Sequence, residues 1–529
     1  MNVLAAAPTR PPTEADDGRG VRALICAIAA VPVLVYLVVA AARVGYPYEL
    51  EWMEGGSVEL ARRVAAGQPL YGPPTLEFTP WPYPPGYAAL AALAAELVGP
   101  GFAALRWVSI VASLVVLAAL VLILRQVSGR WLPGVVAAGV YAATYGPAGL
   151  SADVGRVDSV LVALVLLALL AAIRARAAAG GVLVAVILVA ASATKQTAVP
   201  IALVMLAVLV WRRRRAGSVA AALYAGLLAL GVGAADRWSL GWFVDYVVAL
   251  LPGHPVVGHQ FVTFWLVDLG LVLLPVVLLA LFARFARFDR RTAGGGPSPG
   301  AGREPGLDLP VAVAAALVLV AWASRLHSGG AVNVLMTAYA GAALLVGLAV
   351  ARLQGSRRGV VAVALALGAQ VLVTLPSVRH AVPTAADRQA GDAVVAALTA
   401  LPGRVLLPDH PYYLTLAGKT PAAHTVAISD VLRAGPSRAR DALLARLGTG
   451  PSAELADVQV IVLDRDDDLA LFNPQALTDF ARVRLAPGAG TADPTVFSPV
   501  GGIPGRPSVV LLRRGVDVSG IDLRPLVAP

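Results

Sequence analysis

The sequence predicts an α-helical integral membrane protein of about eleven transmembrane helices. Interfacial helices are expected in its first outer loop, and a small extracytoplasmic α/β domain at the C-terminal end. Three observations lead there. Apolar residues make up 58% of the chain and charged ones 14%, with a mean hydropathy of +0.75, more apolar surface than a water-soluble fold can hide. Those residues fall into runs close to the thickness of a bilayer core. The net charge of +10 would suit nucleic acid, but the arginines gather in short loops between apolar runs, as orienting charges do, so no nucleic-acid partner is expected.

Residues 1–21 are polar, contain proline and lack periodicity, which predicts a disordered cytoplasmic N-terminus. Residues 22–43 form an uncleaved first span; the single cysteine, Cys26, lies inside it, so no disulfide can form within the chain. The first outer loop, 44–101, carries Glu49, Glu51, Glu54, Glu59 and Glu77 between nearly charge-free neighbours. Within it Met53–Ala66 reads as a helix. Pro84–Val98 reads as another, with prolines at its start, where a missing N–H costs nothing. That second helix is apolar but reaches only ~22 Å, so it is expected to lie along the interface.

Parity supports this placement. With Pro84–Val98 flat, later spans fall near 102–124, 132–150, 157–173, 180–194, 198–211, 217–235, 261–283, 309–324, 330–350 and 359–376. The strongly basic loops, such as Arg212–Arg215 and the cluster from Arg284 to Arg303, then all face the cytoplasm. Only Arg156, Lys195, Arg237 and Arg325 remain as scattered outer cations. The membrane domain is thus 22–376, with a Gly/Pro-rich cytoplasmic linker at 293–306, and residues 377–529 lie outside the cell membrane. That outer part alternates helical patterns (384–401, 436–447, 473–482) with β-like runs (404–408, 458–464, 508–513).

This topology gathers charged groups on one surface: Glu51 and Glu54; Asp153, Arg156 and Asp158 in SADVGRVDS; Lys195 and Gln196 in ATKQTAVP; Arg325, His327 and Asn333 in SRLHSGGAVN. Charges at span ends resist insertion by up to about 2.5–3.5 kcal/mol each, so their retention calls for a use. Transfer of a sugar from a lipid phosphate would use them. Arg or Lys meets the phosphate charge, for which Lys195, Arg156 and Arg325 are candidates. A carboxylate takes the proton of the acceptor hydroxyl, for which Glu54, Glu51 and Asp158 are candidates. Gln196, Tyr83, Tyr87, His327 and Asn333 are candidate substrate contacts, although Trp81, Tyr83 and Tyr87 suit interfacial anchoring equally. Tyr412, Tyr413 and Lys419 are further acceptor candidates in the outer domain. Carboxylates at Glu54 and Asp158 could also hold a divalent cation, and the metal question stays open.

The order of these motifs (an acidic residue after the first span, an interfacial helix, YPPGY, GRVDS and TKQT) resembles the GT-C superfamily of polyprenyl-phosphate-sugar-dependent glycosyltransferases. The likeness covers 22–376 and is nearest to the bacterial family 39-like branch, related to protein O-mannosyltransferases and lipid A aminoarabinose transferases. It implies an inverting transfer, by a hexosyl- or pentosyltransferase, to an envelope glycan, lipid or protein, with a first-loop carboxylate as base. That role maps onto Glu54, with Glu51 as second choice, because Met53 stands where the family usually has an acid. The competing reading is a transporter or flippase of lipid-linked sugar without covalent chemistry. The lack of repeat symmetry, the odd span count and the outer domain speak against it.

Overall fold

The computed structural model describes residues 14–292, 308–449, 453–484 and 505–527. The expected linker 293–306 and residues 1–13 of the expected N-terminal tail lie outside these. Helix α1 runs Glu14–Arg43, so residues 14–21 are helical, extending the apolar span Arg19–Arg43 into its polar flank. The first loop carries α2 (Glu54–Ala65) and α3 (Gly86–Val98), close to the two predicted helices. Helix α3 packs Tyr87, Ala88, Ala91 and Ala92 inward and leaves Leu90, Leu93 and Leu97 exposed at helical spacing, an apolar face suited to lipid.

Six further helices follow: α4 (Phe102–Ser128), α5 (Leu132–Ala143), α6 (Asp158–Arg174), α7 (Ala178–Thr194), α8 (Ala198–Arg212) and α9 (Arg214–Trp238). Beyond them come a bent pair, Gln260–Leu271 with Leu274–Phe285 at 82°, and the helices Asp308–Leu326, Leu335–Leu353 and Arg357–Thr374. Each predicted span overlaps a helix, although 132–150 is helical only over Leu132–Ala143, and the chain is a multi-pass membrane protein. The count of eleven is not reached by length, however. Among the described residues six helices are long and apolar enough to cross a bilayer, or seven with the bent pair taken as one. The 12 residues of α5, 17 of α7 and 15 of α8 extend only ~18–26 Å.

The C-terminal region forms a four-stranded mixed sheet in the order β1-β2-β4-β3: Arg404–Leu406, Val458–Leu463, Val509–Arg513 and Phe480–Arg482. β1 and β2 are parallel, while β4 runs antiparallel to both of its neighbours. Three strands lie in the predicted β-like runs. The fourth does not: 473–482, expected to be helical, is a short 3₁₀ turn at Pro474–Leu477 followed by β3. Phe480 is buried, and Phe480–Arg482 pair with Leu511–Arg513 of β4 in place of a helix. Helices Ala385–Ala400 and Arg438–Leu447 match their patterns; Pro411–Leu416 and Thr425–Arg433 do not stand out in the sequence, yet they meet the first loop.

Candidate functional site

Three buried arginine–carboxylate contacts organise the region where α1 ends, the first loop begins and the segment 151–158 enters α6. Arg43, the last residue of α1, donates to both oxygens of Asp153 at 2.6 Å. Arg106, inside the apolar run of α4, donates to Glu54 Oε1 at 3.0 Å and Oε2 at 2.7 Å. Its remaining N–H groups meet the carbonyls of Arg43, Tyr46 and Tyr48. Arg156 donates through Nη1 to Glu51 Oε1 at 2.9 Å.

The two base candidates differ in how much hydrogen bonding they have left. Glu54 has no solvent exposure, and each of its oxygens accepts twice. Oε1 takes Arg106 and the Gly155 N–H (2.8 Å); Oε2 takes Arg106 and the Leu50 N–H (2.8 Å). Its four acceptor positions are filled. Glu51 accepts once at each oxygen, from Arg156 and from the Met53 N–H at 3.0 Å, which leaves a lone pair on both. Burial raises the Glu51 carboxyl above its ordinary range, with Arg156 opposing the shift. Protein donors thus fill the acceptor positions of Glu54, whereas Glu51 keeps an unused lone pair on each oxygen, an arrangement that favours Glu51 over Glu54 as a proton acceptor.

Asp158 opens α6 and is fully buried. It accepts from Lys195 Nζ at 2.7 Å and from Asn333 Nδ2 at 2.7 Å, whereas Arg156 stands 3.9 Å away. Lys195 follows the last residue of α7 and is 8% exposed at its side chain, so its ammonium does not snorkel to the surface. The result is a chain of alternating charge, Glu51–Arg156–Asp158–Lys195, with Asn333 on the second oxygen of Asp158. The ring of Tyr83 lies 5.8 Å from Lys195 Nζ, within cation–π reach.

Arg156 also lines an open cleft with Met53, Leu60, Tyr71, Trp81, Tyr83 and Tyr87. Trp81 and Tyr87 are buried in the protein, not spread along an outer belt. Tyr87 makes its hydroxyl contacts with Leu105 O and Ser109 Oγ, both at 3.3 Å. Gln196 donates to Pro82 O at 2.7 Å and Val247 O at 3.3 Å, so it ties the cleft wall to a neighbouring segment.

Other candidates are placed differently. Arg325 is committed to Asp268 at 3.0 Å and to the Gly330 carbonyl, and among the described residues no hydrogen bond joins it to the Asp158–Lys195 pair. Asp268 supplies its counter-charge and the Gly330 carbonyl a neutral acceptor, so Arg325 stands apart from the Glu51–Lys195 series. His327 faces Ser328 O and the ring of His254, 5.8 Å away, beside the C-terminal sheet domain. Tyr412 and Tyr413 are buried, and Lys419 donates to Leu401 O at 2.8 Å; these are packing and tethering contacts of the C-terminal sheet domain. No group of three metal-ligating side chains occurs among the described residues. Glu54 and Asp158 do not converge on a shared ion: Glu54 is bound to Arg106, Asp158 to Lys195.

Arg106, Arg43 and His410 were not singled out by sequence reasoning. The two arginines did carry a signal, since Arg106 stands within the apolar run of a predicted span and Arg43 ends one. A charge so placed needs a buried partner.

A family described as dolichyl-phosphate-mannose-protein mannosyltransferase matches residues 82–235, which include YPPGY, GRVDS and TKQT. The chain superimposes on ArnT from Cupriavidus metallidurans bound to undecaprenyl phosphate with a TM-score of 0.53 at 15% identity, covering 84% of this chain and 93% of that one. The apo state of the same protein gives the same coverage and identity with a TM-score of 0.36. No curated protein sequence matches the chain.

Proposed function

We propose that this chain, a GT-C superfamily member by fold, is a membrane glycosyltransferase using a polyprenyl-phosphate sugar. The acceptor is an envelope glycan, lipid or protein on the outer face, and transfer proceeds with inversion. The observation that carries this reading is the buried series Glu51–Arg156–Asp158–Lys195 reaching a cleft walled by aromatic rings.

In this reading the sugar's bond to phosphate breaks as the acceptor oxygen attacks the anomeric carbon from the opposite side. Glu51 receives the hydroxyl proton; burial, which raises its affinity for protons, suits it to that task. Arg156 faces the cleft and meets the charge that develops on the departing phosphate, with Lys195 behind it. Asp158, itself held by Asn333, keeps Lys195 in register. Tyr83, Tyr87 and Trp81 offer flat faces to the sugar, and the exposed apolar side of α3 borders the lipid that carries the polyprenyl tail. The N-terminus is cytoplasmic and the sheet domain extracytoplasmic, as the basic loops require.

Purified protein in lipid nanodiscs, given labelled polyprenyl-phosphate sugars and envelope acceptors, should form a covalent glycosylated product. Movement of intact donor across vesicles with no product formed would overturn the proposal in favour of a flippase.

A further inference from the structure

The outer domain grips the first loop on both sides of Glu51. His410 is wholly buried just before the helix Pro411–Leu416. Its Nδ1 meets Glu49 Oε2, and its Nε2 lies 3.0 and 3.1 Å from the oxygens of Asp464, next after strand β2. Ionised carboxylates only accept, so both ring nitrogens carry hydrogen toward them. Tyr413 stacks on the imidazole at 5.2 Å and 9°, and its hydroxyl accepts from the Glu49 N–H at 3.1 Å. Glu49 is therefore held through its side chain and its backbone. Glu49 Oε1 also lies so close to Gly55 that a Cβ there would come within 2.2 Å, so the carboxylate fits against α2 with no slack.

Three residues further on, a second histidine repeats the grip. His424 donates through Nε2 to the Trp52 carbonyl at 3.0 Å while its Nδ1 accepts from the Val426 N–H at 3.0 Å. Residues 49 and 52 are thus both fixed by the outer domain, and Glu51 lies between them. A four-residue stretch held at both ends has little freedom, so the direction of the Glu51 side chain follows from the seating of the outer domain.

We propose that His410 is a positioning residue: clamped between Asp464 and Glu49, it fixes the backbone that aims Glu51 at Arg156. This builds on the transferase reading for its kinetic readout and stands apart from it for its structural one. The outer domain is then a working part of the site and not an appendage.

The test compares wild type with His410→Gln and Glu49→Gln in the full-length protein in nanodiscs, with Asp522→Ala, an exposed outer-domain ion pair, as control. Amide exchange in 49–53 should speed up at least tenfold in both variants, with exchange in the α4 and α6 spans unchanged. Turnover should fall ten- to a hundredfold while donor KM moves less than threefold, a split that loss of folded protein alone would not produce. Glu49→Gln keeps the shape of the site, so it decides the matter if His410→Gln does not fold. Wild-type exchange at 49–53, or unaltered kcat, in folded Glu49→Gln protein overturns the positioning role. Wild type that forms no product with any donor defeats the transferase reading, and the exchange measurement then decides the clamp by itself.

Discussion

Replacing Glu54 separates a brace from a base. In Glu54→Ala the Arg106 guanidinium, with no solvent exposure, loses its counter-charge, and the Leu50 and Gly155 N–H groups lose their acceptor. Breaking a buried ion pair by removing one partner costs about 3–5 kcal/mol. Each orphaned buried amide would cost about 1–3 kcal/mol, although terms within one network do not add. Glu54→Gln keeps one carbonyl but turns an NH₂ group toward donors, so a loss of roughly 2–4 kcal/mol is expected. Leu50 and Gly155 immediately precede Glu51 and Arg156, so the loosened amides should misplace that pair, and activity should fall together with stability. The assay is thermal unfolding of the detergent-purified protein alongside turnover. Glu54→Gln with wild-type melting behaviour and transfer reduced more than a hundredfold would refute this reasoning and make Glu54 the base.

Glu51→Gln leaves Arg156 with only Asp158, at 3.9 Å, as counter-charge and turns an NH₂ group toward a donor, so it should lower stability by roughly 1–3 kcal/mol and kcat by about 10²–10⁴-fold, the usual span for a lost general base; retained turnover in folded protein would remove Glu51 from the chemistry. Lys195→Ala strands Asp158 without its 2.7 Å cation and should raise donor KM at least about tenfold, given ~1.5–3 kcal/mol for a charge-assisted hydrogen bond. Titration of donor binding checks this, and an unchanged KM would argue against phosphate contact. His424 is held neutral because burial lowers its pKa from 6.5 to about 4. The unfolded histidine binds protons more readily, so this contribution is complete above pH 6.5 and is lost as pH falls through about 4. It amounts to roughly 3 kcal/mol. Acid unfolding of His424→Gln, which can still donate to Trp52 O, should be less steep over that window; an identical acid profile would contradict the assignment.

Helices, spans and the alternation of basic and bare loops were legible in the chain because each is local: an apolar run of span length, a proline at a helix start, arginines between runs. The same locality exposed Glu51, Arg156, Asp158 and Lys195, since in a chain so poor in charge any ionisable group at a span end stands out. The residue types of the site and their order along the chain were therefore fixed by the sequence alone. Which carboxylate binds which cation was not. Arg106 finds Glu54 at a separation of 52 residues and His410 finds Glu49 at 361. Such pairings depend on the rotation of α4 against the first loop and on the seating of the sheet domain, neither of which leaves a periodicity to read. Two glutamates three residues apart look interchangeable in sequence; packing fills every acceptor position of Glu54 and leaves Glu51 with room, because only folding decides how many donors surround each oxygen.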